Sequence, residues 1–273
     1  MNHTAEQPSS IAAVALFVRE YGPAVAPAVI FLHGGHLSGW SWQPVVDRMP
    51  QYRCLVPDLP QYGKSFELGP FDMSRAADAV AELIRFHVGT GHAHVVGYSL
   101  GAQVGLQLLA TEPKLVDRAV LCGTLVNTLP GVRLAQRLLG TMARVPWFQQ
   151  MVNRRWNARE VGVPAANLDD YHEDVRLSSG PQLAHVVVAS AGFTIPERLD
   201  ESDTPTLFLS GANERPFVRR WAATLAHRMP NGVDGAAAGM HHDWPLRCPD
   251  LFSRTASGWL SNTTLPPEIQ LFS

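Results

Sequence analysis

Val95-Val96-Gly97-Tyr98-Ser99-Leu100-Gly101 reads as a strand entering a sharp turn, with a serine at the apex and a helix opening behind it. Apolar residues continue at helical spacing from Leu100 to Leu109. In that context G-x-S-x-G is the pattern of a nucleophile elbow. The turn needs glycine on both sides of the serine, because side chains at Gly97 and Gly101 would strike the neighbouring strand and helix. It also holds the serine in a strained backbone conformation with its hydroxyl exposed. The start of the helix aims backbone N–H groups at the place where negative charge would develop. Gly and Ser are common and the bare pentapeptide also arises by chance, so the rest of the chain has to support it.

The chain has 273 residues, enough for one large domain or a core with an inserted lobe. Hydrophobic residues make up 46% and charged residues 17%, a composition that can bury a sizeable core. The formal net charge is −2 and no basic run occurs, which gives no electrostatic case for nucleic acid or an anionic membrane as partner. No stretch approaches the roughly twenty apolar residues of a membrane span. Residues 1–10 are polar, lack the apolar region of a signal peptide, and read as a flexible tail. Cys54, Cys122 and Cys248 are odd in number and far apart. They fit small buried hydrophobes in a reducing compartment, and a cytoplasmic location is the expectation.

Apolar runs alternate with helical patterns along most of the chain. Strands are expected at residues 11–18, 28–32, 52–56, 94–96, 119–122 and 206–209, with a less defined one within 232–238. Helices are expected after a cap at Asp72 or Ser74, after the elbow, from Phe217 through Leu225, and from Leu251 to Trp259. Mostly apolar strands alternating with helices imply an α/β class with a mostly parallel sheet covered on both faces. Residues 125–199 break the alternation. Leu134, Leu138 and Met142, then Phe148, Val152 and Trp156, recur at helical spacing, so this segment reads as an inserted helical cap. The core then comprises residues 11–124 and 200–273.

A serine nucleophile needs a base, an acid that orients the base, and donors for an oxyanion. In the strand–elbow–helix setting the acid follows the serine and the histidine comes last. His227 falls in a helical run and reads as a surface residue. His241 and His242 sit in the loop Gly239-Met240-His241-His242-Asp243-Trp244-Pro245 before the last helix, and His242 is chosen as base. The loop Ser210-Gly211-Ala212-Asn213-Glu214-Arg215-Pro216 contains one carboxylate, Glu214, as candidate acid; Asp203 and Asp243 are the alternatives. An ionised carboxylate there could accept the imidazole Nδ1–H and stabilise the imidazolium that forms. The oxyanion donors would be the backbone N–H groups of Leu100 and of Gly35, in the loop His33-Gly34-Gly35-His36. Gly34 and Tyr98, beside these groups, and Trp147 and Phe148 in the cap are candidate substrate contacts. No cofactor or metal site is expected. Gly63-Lys64-Ser65 has Asp58 where a phosphate-binding loop needs its first glycine, and Gly89-Thr90-Gly91 precedes a strand instead of following one. The adjacent residues His241, His242 and Asp243 lack metal-ligand spacing.

Together these pieces resemble the α/β-hydrolase superfamily of the serine-nucleophile, helical-cap type. The resemblance rests on His33-Gly34, on Asp58-Leu59-Pro60-Gln61-Tyr62-Gly63-Lys64-Ser65, on the Ser99 elbow, on the Glu214 loop, and on His242 through Pro249. In that family the histidine often stands seven positions before a proline, and counting back from Pro249 gives His242 instead of His241. Gln61 replaces the first glycine of the family's Asp-x-Pro-Gly-x-Gly-x-Ser loop. The resemblance implies an eight-stranded, mostly parallel sheet with a Ser-His-acid site beneath the cap. It implies hydrolysis of an ester-type bond in a small, partly apolar substrate. Serine in place of aspartate at the nucleophile position argues against the haloalkane dehalogenase and epoxide hydrolase branches. Two other functions remain on the same fold: a carbon–carbon bond hydrolase or cofactor-free lyase or oxygenase, and a non-enzymatic ligand sensor.

Overall fold

The computed structural model describes residues 16–126, 165–178 and 180–272, together with residues 141, 145 and 163. The expected tail at residues 1–10, and Trp147, Phe148 and Trp156 of the proposed cap, lie outside the described residues.

Eight strands form one sheet: β1 (Val18–Tyr21), β2 (Ala28–Leu32), β3 (Arg53–Pro57), β4 (Ala93–Tyr98), β5 (Val116–Cys122), β6 (Thr206–Gly211), β7 (Gly232–Ala237) and β8 (Ile269–Leu271). Their spatial order is β1-β3-β2-β4-β5-β6-β7-β8. The two edge strands pair antiparallel and all other pairs are parallel. A parallel sheet needs helical crossovers, which cover both of its faces and make its central strands apolar throughout. β2 is accordingly buried at all five positions. Side-chain alternation divides the core in two. Ile30, Leu32, Val95, Leu121 and Phe208 face one layer, and Val29, Phe31, Val96, Val120 and Leu209 face the other.

The first layer is covered by α1 (Met73–His87), α2 (Leu100–Thr111) and α5 (Pro216–Arg228). Asp72 caps α1 by accepting the Arg75 N–H at 3.0 Å, and Ala76, Val80, Leu83 and Ile84 form its buried stripe. The second layer is covered by α6 (Pro249–Leu260), where Phe252 packs on Trp42 and Trp244. Between β5 and β6 the described residues contain α3 (Leu168–Leu177) and α4 (Gly180–Ala191). No described helix is long and apolar enough to cross a membrane.

Residues 11–15 of the first expected strand lie outside the described residues; among the described ones the strand begins only at Val18, and β1 is the more polar Val-Arg-Glu-Tyr, running from Val18 opposite Pro57 to Tyr21 opposite Cys54. An antiparallel edge strand has one solvated side and does not need a continuous apolar run. Its Arg19 reaches inward instead and pairs with the fully buried Asp58 at 2.5 Å. β8 carries no usable pattern in the sequence, being three residues of a terminal segment paired on the sheet's far edge.

Candidate active site

The carboxyl ends of five neighbouring strands carry the candidate groups. The Gly35 loop follows β2, Ser99 follows β4, Gly123 follows β5, Glu214 follows β6 and His242 follows β7. In open parallel sheets ligands bind at this edge.

Ser99 sits between β4 and α2 with φ 52° and ψ −109°, an uncommon conformation for a residue that carries a Cβ. Its N–H donates to the Cys122 carbonyl at 2.8 Å, which ties the apex of the turn to β5. The flanking glycines are there for space. A Cβ on Gly97 would lie 2.6 Å from the Gly101 carbonyl oxygen, and one on Gly101 would lie 2.1 Å from that of Leu32.

The Glu214 side chain is buried, and both of its carboxylate oxygens are occupied. Oε2 accepts the Gly211 N–H at 2.7 Å, and Oε1 lies 2.5 Å from His242 Nδ1. An ionised carboxylate can only accept, so this contact assigns the proton to Nδ1 and leaves the Nε2 lone pair for another proton. The imidazole packs on the Tyr98 ring, with centroids 5.3 Å apart, and its Cε1 edge lies over Gly123. The alternatives are placed elsewhere: Asp243 pairs with Arg247, Asp203 offers its backbone carbonyl to Asn231, and His241 and His227 are exposed.

The loop that carries Gly35, the candidate oxyanion donor, is braced from behind. His33 is fully buried; its Nδ1–H donates to the Gly34 carbonyl at 2.9 Å and its Nε2 accepts the Leu59 N–H at 2.9 Å. Both bonds suit a neutral ring, and burial lowers the His33 pKa to about 4. Asp58 organises the facing loop by accepting the N–H groups of Gly39 at 2.7 Å and Lys64 at 2.9 Å. Gln61, standing where the family has glycine, takes the left-handed φ of 66° that the position requires. Its side chain accepts the Phe71 N–H at 2.8 Å and lies 3.2 Å from His185 of α4.

A cavity of ≈ 460 Å³ opens over Ser99. Gly35, Leu100, Tyr98 and His242 stand in its wall with Ser99, and Leu125, Val126, Trp221 and the α4 residues Val186, Val187 and Ala191 supply most of the rest. Gly34 is not part of that wall: its Cα faces the Tyr98 ring, where a Cβ would come within 2.8 Å. Several residues that shape the site escape the sequence pattern. Gln103, polar in an apolar helix, is the one that carried a signal. Fully buried in α2, it donates to the Leu125 carbonyl at 2.7 Å and the Ser190 carbonyl at 3.0 Å, and it accepts the Ser190 hydroxyl at 2.8 Å. It thereby joins the helix behind the serine to the end of α4.

α3 docks through a buried acid. Asp174 Oδ2 accepts the Trp40 indole N–H at 2.7 Å, beside Leu37 and Tyr171. Burial raises the Asp174 pKa from 3.8 to about 7, against the opposing pull of its hydrogen bonds from Trp40 and Ser38. A folded-state pKa above the unfolded value means that the protonated form favours folding. That contribution is complete below about 3.8 and is lost as pH rises through about 7. Asp174→Asn keeps an acceptor for Trp40 and never ionises. Its stability should therefore exceed that of the native protein by a margin that widens between about pH 5 and pH 8, reaching on the order of 2 kcal/mol and raising the thermal midpoint accordingly. Melting curves across that range check it, and parallel curves would refute it.

With this geometry in view, comparisons with known proteins place the chain. A model of the alpha/beta hydrolase fold matches residues 27–155. The pimeloyl-[acyl-carrier protein] methyl ester esterase of Yersinia enterocolitica is 27% identical over 243 residues, 83% of this chain and 90% of that protein. Among solved structures, the enol-lactonase of Burkholderia xenovorans superposes with a TM-score of 0.73 at 19% identity, covering 90% of this chain and 96% of that one. A thermophilic esterase from Thermogutta terrifontis gives 0.68 at 20% identity, covering 90% and 93%. Sheet order, family model and solved structures agree: the chain has the α/β-hydrolase fold.

Proposed function

We propose that the protein is a serine hydrolase that cleaves an ester-type bond of a small, partly apolar substrate through an acyl-enzyme on Ser99. The observation that carries this reading is the buried Glu214 carboxylate in contact with His242 Nδ1, in the wall of the cavity that contains Ser99. The steps follow from the chemistry of the groups. Ser99 Oγ attacks the carbonyl carbon while His242 Nε2 takes its proton. The backbone N–H groups of Gly35 and Leu100 receive the oxyanion, and Glu214 holds the imidazole in the correct tautomer and stabilises the imidazolium. The proton passes to the leaving alcohol. Water then attacks the acyl-enzyme with His242 as base, which frees the acid and restores Ser99.

In this reading residues 125–199 form a helical cap, with α4 as the part that faces the serine. No Asp, Glu, Lys or Arg stands among the described wall residues. An uncharged acyl portion suits that wall, since a buried carboxylate without a countercharge is strongly disfavoured. The esterase and lactonase names of the relatives support the ester class.

The test is covalent labelling with a fluorophosphonate, read by peptide mass spectrometry, alongside hydrolysis of p-nitrophenyl esters of graded chain length. The expected result is stoichiometric label on Ser99 and turnover of neutral esters. An unlabelled Ser99 together with intact turnover of a ketone substrate would transfer the site to carbon–carbon bond cleavage.

A further inference from the structure

We propose that Gln103 is a positioning residue that sets acyl-chain selectivity. Its side-chain amide ties both limbs of the segment between β5 and β6 to the helix behind the nucleophile, and so fixes the spacing of the apolar wall against which the acyl chain lies. The inference rests on the reading of Ser99 as the nucleophile and extends it to the substrate: an apolar acyl chain longer than acetyl, held between Leu125-Val126 and α4.

Three observations carry it. The first is where the hydrogen bonds go. Gln103 is fully buried in α2; one Nε2 hydrogen reaches the Leu125 carbonyl at 2.7 Å, the other the Ser190 carbonyl at 3.0 Å, and Oε1 accepts the Ser190 hydroxyl at 2.8 Å. A carbonyl can only accept, so these two acceptors fix which way the amide faces. Leu125 lies just past the end of β5 and Ser190 in the last turn of α4. One side chain therefore holds the segment where it leaves β5 and again where α4 ends. An apolar residue would fill this core position without the cost of burying an amide. A fully paired buried network instead selects one arrangement of the groups it joins.

The second observation is what the tie positions. Leu125, Val126 and Ser190 stand in the cavity wall themselves, and Val186 and Val187, on the same face of α4 as Ser190, stand there too. The third is that α4 has a separate anchor at its other end. Gln182 Nε2 donates to the Gln61 carbonyl at 3.3 Å, and Gln61 Nε2 lies 3.2 Å from His185 Nδ1. Loss of the Gln103 bonds leaves that anchor in place and lets the wall-forming end of α4 shift away from Leu125. The elbow itself is kept. The Gln103 N–H that closes the first turn of α2 on the Ser99 carbonyl at 3.1 Å is backbone, and any residue but proline supplies it.

The experiment compares p-nitrophenyl acetate and p-nitrophenyl hexanoate as substrates for the native protein, Gln103→Met, Ser190→Ala and the double variant, at a temperature where circular dichroism shows each folded. The readout is the hexanoate-to-acetate ratio of kcat/KM. Gln103→Met keeps the length of the side chain and loses all of its hydrogen bonds. It should lower the ratio about tenfold, the scale of two methylene groups no longer buried, and leave acetate turnover within about twofold of native. The hexanoate loss should appear mainly in KM. Ser190→Ala removes the hydroxyl bond alone and should lower the ratio about threefold. Because both residues act through one network, the double variant should match Gln103→Met instead of adding the two losses. If Gln103→Met does not fold, Ser190→Ala carries the test. An unchanged or higher ratio, an equal loss on both esters, or additive losses in the double variant would overturn the proposal. Failure of the underlying reading would look different: turnover of both esters would survive Ser99→Ala.

Discussion

Ser99→Ala is expected to reduce kcat/KM for a hydrolysed ester by at least about 10⁴-fold while leaving the fold and its thermal midpoint nearly unchanged. The size follows from the division of labour in the site. In the proposed mechanism no acyl-enzyme can form without Oγ, and what would remain is the attraction of the Gly35 and Leu100 N–H groups for a developing oxyanion. The preserved stability follows from the backbone. The strain at φ 52° belongs to any residue with a Cβ, so serine and alanine share it, and among the described residues the Ser99 side chain makes no hydrogen bond to the helix it caps that alanine would lose. His242→Ala should cost a comparable factor, and the double variant scarcely more, because the two groups act as one unit. Steady-state kinetics on purified variants, with residual activity tested for fluorophosphonate sensitivity, gives the answer. A Ser99→Ala protein that keeps more than about a tenth of the native rate would remove the serine from the mechanism.

The parts of this site that could be read in the sequence are those fixed by local geometry. Gly97 and Gly101 announce the elbow because the turn tolerates nothing larger, and the clashes that a Cβ would meet there bear out that reasoning. Glu214 was accessible by elimination, as the one carboxylate in a loop following a strand, and its contact with His242 is present in the structure. The choice between His241 and His242 is harder, since adjacent residues of one loop differ only in the side to which each projects; the spacing to Pro249 favoured the one that meets Glu214. The parts that could not be read depend on distant pairings. Gly123 looks like an ordinary glycine at a strand end until β7 and its loop bring His242 over it. His36 looks like part of a flexible glycine-rich turn until the Tyr62 hydroxyl, hydrogen-bonded to its backbone, fixes it. Among the described residues the first strand begins at Val18 and extends past the expected end, because hydrophobicity marks central strands well and an edge strand poorly.

Gly123 leads to the second large effect. Gly123→Ala should lower kcat about 100-fold with little change in KM, because the added methyl occupies the space of the imidazole. Its Cβ would lie 2.6 Å from His242 Cε1 and 3.0 Å from Nδ1. The backbone has little freedom to withdraw: Gly123 sits at φ 66°, and its N–H donates to the Leu209 carbonyl at 2.8 Å. The imidazole therefore has to move, and Tyr98 closes one side of its path while Glu214 holds Nδ1. Displacement of about 1 Å from the serine is enough for a loss of that order. Stability should fall by only about 1 kcal/mol, the left-handed penalty for alanine, since a half-exposed side chain yields more readily than backbone. Gly101→Ala provides the contrast. Its Cβ would meet the Leu32 carbonyl oxygen at 2.1 Å, backbone against backbone, so loss of folding is expected there instead of loss of rate alone. Kinetics and melting curves on the two variants separate a displaced catalytic base from a broken turn. A Gly123→Ala enzyme with native kcat would mean that the imidazole reaches Ser99 from a different position.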